Sequence, residues 1–486
     1  MNEFGKYRLF RKYVSYDGVN YTPLDEYQAL LVENNSCQCG YRELEYRWDG
    51  EYKEEKYKKY EIWNEYSFCP TDSSYDELTG NIEYRNPTTD DGVMLATYRG
   101  EGSFPVILCN NYDFFEKMAI NNNELGYSIE QYTFNNTDIN EVAFLDMTNI
   151  GTHTFSGCSL TSVIIPKSVT SIGDSAFKLC TSLTSVTIPN SVTYIGFVSF
   201  NGCKSLTSII IPNSVKTIGE NAFSDCSGLT SVTIGNSVNT IGSKAFSGCT
   251  SLNSIVIPDS VTNIGSYDFY NCSGLTSVTI GNSVTNIGSY AFSDCTSLTS
   301  ITIPDSVTSI GASAFYECTS LKSVIIPNSV TSIGIMAFGR CSSLTYITIP
   351  SSVTSIDSYT FEDCSSLTSI EIPDSVTSIG YMAFSDCKSL TSITIPDSVT
   401  SIGDSAFSYC GLKSITIGSG VTSIGVNAFY RCVYLKSITC YSTTAPSLMK
   451  DVFKYLPTNG KLYVPSGSNY SKWLSKLPSG WTIEYI

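Results

Sequence analysis

Apolar residues recur along most of this chain in a phrase far longer than one turn of helix or one step of strand. In Leu183-Thr-Ser-Val-Thr-Ile188 they occupy the first, fourth and sixth positions. Val186 and Ile188 alternate with Ser185 and Thr187, the two-residue period of a strand with one face buried. Pro189 ends that strand because proline cannot donate to a ladder; another copy places Gly235 there. Val192 and Ile195 predict a second short segment facing inward. Gly196 is expected to turn the chain sharply with positive φ. Phe200 and Cys203 are three apart, so a single helical turn would aim both at the same core.

The same phrase then returns, in the general form L-x-S-V/I-x-I-P/G-x-S-V-x-x-I-G-x-x-x-F-x-x-C. Its cysteine recurs every 23 residues from Cys180 to Cys410, and Cys158 and Cys432 extend the series by 22 at either end, which makes thirteen copies. A fixed period of this length identifies a stacked-repeat architecture. One copy buries too little apolar surface to offset its chain entropy, so neighbouring copies must share a core and hydrogen-bonded strands. The expected fold is a repeat solenoid, mainly β, with short parallel strands and a helical turn in each coil. The phrase is similar to the 23-residue leucine-rich repeat of BspA-like proteins. That resemblance covers residues 139 to about 440. It implies a surface adhesin that binds host proteins, other cells or matrix.

The regularity fades at both ends. Ile139-Asn-Glu-Val-Ala-Phe-Leu and the segment from Thr148 to Cys158 resemble a degenerate first coil. After Cys432, Lys461-Leu-Tyr-Val-Pro465 resembles a stretched last coil, and Trp473 and Trp481 fall in the closing segment. Irregular covers are expected there, because an open end exposes apolar side chains and unpaired strand edges. The solenoid is therefore placed at 136–440 and its cap at 441–486. Residues before it lack the period and are rich in Tyr, Glu and Lys. The stretch from Lys6 to Tyr21 and that from Lys58 to Phe68 read as Tyr-bearing strands, with Asp17-Gly18 as a hairpin turn. This predicts a small β-rich region, divided into a module at 1–90 and a connecting module at 91–135.

Composition narrows the chemistry. Only 15% of residues are charged and the net charge is −16, so Ser and Thr cover much of the surface and a basic nucleic-acid patch is disfavoured. No stretch reaches the 18 apolar residues of a membrane helix. The N-terminus carries charges and tyrosines where a secretory signal needs an apolar region, so export by the usual route is not expected. There is a single histidine, His153, read as a surface turn residue. It leaves almost no material for Ser-His-Asp catalysis or His-based zinc sites. No enzyme activity, cofactor or metal is expected. The repeat cysteines read as small buried hydrophobes. Cys37, Cys39, Cys69 and Cys109 stand outside the ladder, where free, bridged and metal-bound states all remain open.

The strand phrase hardly changes from copy to copy, whereas the segment between glycine and cysteine varies. Stacking would bring Tyr267, Tyr270, Tyr290, Tyr316, Tyr359 and Tyr381 to one edge beside Asp294, Glu317, Asp363 and Asp386. Tyrosine offers large contact area at low entropy cost, which suits recognition of a protein or a glycan. The expected function is non-enzymatic binding or adhesion at a cell surface, with no nucleic-acid partner and no membrane insertion. A phage virion or tail-associated receptor-binding protein is the alternative, given the Tyr-rich start and distal repeats.

Overall fold

A computed structural model describes the backbone of the strands between Lys6 and Ala143 and the complete chain, side chains included, over 148–486. Lys6–Ser15, Thr22–Val32, Glu43–Tyr46 and Tyr60–Tyr66 form an antiparallel sheet in which Lys6–Ser15 lies between Thr22–Val32 and Tyr60–Tyr66. Val93–Thr97 pairs antiparallel with Val106–Asn110. The Tyr-bearing strands are thus present. The Asp17-Gly18 turn, Cys37, Cys39 and Cys69 lie outside the described residues, as does the side chain of Cys109.

The remainder is a parallel β-solenoid of about 15 coils with almost no helix. Each coil has three sides. The first carries strands such as Ser185–Thr187 and Ser208–Ile211, paired residue for residue between coils, for example Ser208 with Ser231 and Ile211 with Ile234. Their burial alternates, as in Ser231–Ile234, with Ser and Thr outside and Val and Ile inside. The second side carries two-residue strands such as Thr217–Ile218, stacked on Tyr194–Ile195 and Thr240–Ile241. This ladder begins at Tyr127–Ile129. Leu206, Val215, Ile218, Phe223 and Cys226 are fully buried, and the same positions fill the core in every central coil.

The third side departs from the expected helical turn. Between Gly173 and Cys180, the amides of Ala176, Lys178 and Cys180 donate to the carbonyls of Gly173, Ser175 and Phe177. The alternate amides of Ser175, Phe177 and Leu179 donate instead to Phe197, Ser199 and Asn201 of the next coil. A helix would consume every amide within the coil; here half are diverted to stitch coils together. Ser175 and Leu179 adopt φ of 54° and 59°, the sign a type II turn requires at its third residue. Two such left-handed positions, four apart, recur from coil to coil. Among the described residues the one α-helix is Ser471–Leu474.

The repeated glycine also plays another part than expected. Gly196 does not have positive φ. A Cβ there would stand 2.6 Å from the backbone carbon of Gly173 in the preceding coil. Glycine is needed because backbone packs directly on backbone at this corner.

Two core columns hold the stack together. Fourteen phenylalanines from Phe155 to Phe453 stack with ring centroids 5.1–6.1 Å apart and planes within 19°. Beside them the cysteines are buried and free. From Cys180 to Cys432 each ladder thiol donates to the phenylalanine carbonyl of the preceding coil, as from Cys203 to Phe177 at 3.1 Å and from Cys318 to Phe292 at 3.2 Å. The thiol is small enough for the core and also supplies a weak donor to a buried carbonyl.

The C-terminal coils continue the ladder through Ser437–Cys440, Lys461–Val464 and Thr482–Tyr485. Trp473 closes the phenylalanine column, its ring 5.4 Å from Phe453, and its indole N–H donates to the Pro446 carbonyl at 2.9 Å. Tyr470 is buried and donates to the Ser442 carbonyl at 2.7 Å. The covered end therefore satisfies the polar atoms it buries.

The second-side ladder breaks twice, once before Asn263–Ile264 and once before Ser355–Ile356. At the first break Asp268 occupies the column held by Ala245 and Ala291 and is fully buried. Its carboxylate takes the amide of Gly265 at 2.6 Å, whereas Gly242 and Gly288 donate to Ile218 and Ile264 of preceding coils. At the second break Asp357 stands where other coils have glycine. Its Cβ would meet the backbone contact just described, and the bond that Gly334 and Gly380 each donate to an isoleucine carbonyl of the preceding coil is not made from Asp357. One residue thus accounts for each break.

Candidate functional site

The third side is where coils differ, and its backbone fixes four outward columns. Tyr267, Tyr290 and Tyr359 hold the first left-handed position, with φ of 62°, 57° and 61°. Tyr270 and Tyr316 follow the core phenylalanine, and Tyr381 follows the glycine. Asp294, Glu317, Asp363 and Asp386 hold the second left-handed position, immediately before the cysteine. All ten side chains are partly or largely exposed.

They gather into groups. Tyr267 and Tyr290 stack at 4.6 Å with planes 3° apart, and Tyr270 meets Tyr267 edge-on at 5.6 Å. Lys244 lies 5.3 Å over the Tyr267 ring, extending the column by a cation–π contact. The Tyr270 hydroxyl is held above its ordinary pKa, first by the negative charge of Asp294 and then by burial. Asp294 is itself raised by burial, against a 2.8 Å hydrogen bond from the Ser293 hydroxyl, with Glu317 adding repulsion. Glu317 goes the other way, because Arg340 donates to it at 2.7 Å. The Arg340 guanidinium also lies 5.3 Å over Tyr316. Tyr359 and Tyr381 form a separate edge-on pair at 5.0 Å. Near them Glu362 is raised, chiefly by burial. The expected edge is therefore two tyrosine groups with the Tyr316–Arg340–Glu317 group between them, and each tyrosine group lies at a break in the second-side ladder.

Several neighbours were not anticipated. Arg340 and Lys244 belong to the edge, and farther along Tyr409, Tyr430, Arg431 and Tyr455 make a third aromatic group. The signal for them was available. Written in register, the residue before the cysteine reads Asp294, Glu317, Arg340, Asp363, Asp386, Tyr409, Arg431 in successive coils, and Tyr455 extends the column structurally.

The strand side is plainer. Ser and Thr columns face solvent, interrupted by Ile210, Val256 and Ile325, which are 60–72% exposed. His153 is half-buried at a left-handed turn position, and burial, then Lys178, lower its pKa. Among the described residues no cluster of three or more His, Cys, Asp or Glu is arranged to hold a metal. No described helix is long and apolar enough to cross a membrane.

A family model for the BspA type leucine rich repeat region matches residues 127–253, 239–368 and 354–470. Among solved structures, a leucine-rich repeat protein from Bacteroides ovatus shares 28% identity with a TM-score of 0.59, over 85% of this chain and 100% of that one. A leucine rich cell surface protein from Faecalibacterium prausnitzii shares 31% identity with a TM-score of 0.44, over 71% of this chain and 94% of that one. No curated protein matches.

Proposed function

This chain belongs to the BspA type leucine-rich repeat family, and from that premise we propose that it is a non-enzymatic binding protein that engages a protein or glycan at a cell surface through its turn edge. The observation that carries the reading is the Tyr267–Tyr270–Tyr290 group with Asp294 beside it. Two of its three rings, Tyr267 and Tyr290, are held by left-handed backbone that a tyrosine adopts only at a cost of about 1–2 kcal/mol per residue. Asn or Gly would occupy those positions more cheaply, as Asn221 and Asn427 do in the same column. Strain retained in partly exposed aromatic side chains points to use. The strand side, by contrast, repeats one pattern of Ser and Thr and offers a partner little to tell one coil from the next. The coils themselves serve as a rigid ruler that spaces the tyrosine groups along the edge.

The test starts from a glycan and surface-protein array that finds a partner for the full chain. Tyr267, Tyr290, Tyr316 and Tyr381 are then replaced together by Ser. The expected loss of affinity is at least about tenfold, since buried interface tyrosines commonly contribute more than 1 kcal/mol each. Unchanged affinity in a variant that still melts cooperatively would remove the turn edge as the site.

A further inference from the structure

Tyr409, Arg431 and Tyr455 are consecutive members of the column before the cysteine, all left-handed, with φ of 58°, 56° and 65°. Most of this column is filled by residues that tolerate the conformation, such as Asp225, Asn271 and Asp294. Three bulky residues in a row forgo that economy. Their side chains converge: the Arg431 guanidinium lies 5.6 Å from the Tyr409 ring, 5.8 Å from Tyr430 and 5.3 Å from Tyr455. Tyr430 meets Tyr409 at 5.7 Å and Tyr455 at 5.2 Å, both edge-on.

Charge separates this group from the rest of the edge. Arg340, its nearest analogue, is paired with Glu317 at 2.7 Å. Lys388 and Lys454 are paired with Asp386 and Asp451. Arg431 is exposed and has no carboxylate partner among the described residues. The surroundings are basic as well. Residues 388–486 carry nine Lys or Arg against four Asp or Glu, whereas 205–387 carry four against thirteen. The coils from residue 388 onward, which hold this group, are therefore basic where the coils of 205–387 are acidic. Guanidinium is a planar fork matched to carboxylate, and tyrosine faces suit the apolar face of a sugar ring. Three coils at about 4.8 Å spacing span roughly 10 Å, the length of one or two sugar rings.

We propose that Arg431, framed by Tyr409, Tyr430 and Tyr455, is a binding site for a carboxylated glycan, with the sugar carboxylate on the guanidinium and the ring against Tyr455 or Tyr409. The site is separate from the Tyr267–Tyr290 group and does not require that group to bind anything.

The full-length protein is titrated calorimetrically with oligogalacturonate, with its methyl ester, with a heparin oligosaccharide and with oligoglutamate. Oligogalacturonate binding is expected, reduced on the order of tenfold or more in Arg431→Gln and also weakened in Arg431→Lys, which keeps the charge but loses the fork. Tyr455→Ser should weaken it, while Tyr267→Ser/Tyr290→Ser should leave it unchanged, so failure of the first site and of this one are distinguishable. The side chain of Arg431 is exposed, and a thermal melt checks that the variants remain folded. Absence of oligogalacturonate binding, equal binding of the methyl ester, or an unaffected Arg431→Gln overturns the proposal. Stronger binding of heparin would replace carboxylate by sulfate and overturn it too. Equal binding of oligoglutamate would assign the site to an acidic peptide instead.

Discussion

The cysteine column is expected to make the solenoid alkali-labile, in a direction that follows from its burial. Ten of the ladder thiols, Cys272, Cys341 and Cys432 among them, are raised above their ordinary pKa of 9.0, with burial the leading cause. For Cys272, Cys341 and Cys432 the value is pushed up to about 12. Below pH 9 a thiol is neutral whether the chain is folded or not, and contributes nothing to pH dependence. Above pH 9 the unfolded chain releases protons that the folded chain keeps, so stability falls as pH rises. The fall continues to about pH 12 for the three named thiols. Each contributes about 1.4 kcal/mol per pH unit, and ten acting together about 14 kcal/mol per unit. Coils that melt in separate groups would show the same slope per thiol in smaller steps. The assay is urea unfolding followed by circular dichroism between pH 8 and 10.5 in reductant, alongside a variant with Cys272, Cys341 and Cys432 replaced by Ala. Removing three thiols should flatten the slope by about 4 kcal/mol per pH unit, even though the cavities lower stability at neutral pH. Stability that is level from pH 9 to 10.5, or a variant with the parental slope, would refute the reasoning.

Two further predictions concern the core. Phe292→Ala empties a site stacked on Phe269 at 5.3 Å and Phe315 at 5.5 Å, and should cost about 3–5 kcal/mol; Phe453→Ala, at the looser 6.1 Å end of the column beside the tilted Trp473, should cost less, and the reverse order in denaturant melts would count against a continuous column. Asp268→Ala should stabilise the protein at pH 7 by about 1–3 kcal/mol, because burial raises the Asp268 carboxyl and one of its oxygens has no hydrogen-bond partner. Folding above the ordinary value of 3.8 must take up a proton that the unfolded chain has lost, so the gain should shrink as pH falls towards 4; a variant less stable than the parent at pH 7 would show that the bond to the Gly265 amide outweighs the burial cost.

The period, the inward columns and the parallel stacking were legible because each is a sum over many copies. Leu183, Val186, Ile188, Val192, Ile195, Phe200 and Cys203 read as core from spacing alone, and all are buried. What spacing could not show is the use made of individual amides. Phe200 and Cys203 point inward from either a helical turn or a pair of β-turns, because both geometries bring residues three apart to one side. The choice falls to β-turns because the next coil, a partner invisible within one repeat, accepts every second amide. Gly196 was misread for the same reason. Its constraint comes from Gly173, 23 residues away, and not from its own dihedral angles. The breaks at Asp268 and Asp357 were equally hidden, since a single departure in thirteen copies has no period to give it away.

The candidate site was legible as a side of the solenoid but not as a set of contacts. Repetition forces strand and core residues into identical roles, so only the turn side can carry information that differs from coil to coil. Even there the backbone narrows the choice. Two of the four outward columns are left-handed, and a bulky residue in them is retained against a conformational cost that recurs in each copy. Selection for a cheap solenoid would drive both columns towards Asn, Asp and Gly, as at Asn221, Asp225, Gly248 and Asn271. Tyr267, Tyr290, Arg340, Tyr359, Tyr409, Arg431 and Tyr455 run against that drift, and each makes a ring or guanidinium contact to a neighbouring coil. Conformational cost and inter-coil contact thus coincide at these side chains, by two observations that do not depend on one another. This makes the turn edge, and not the flatter strand side, the surface on which a partner would find something to distinguish.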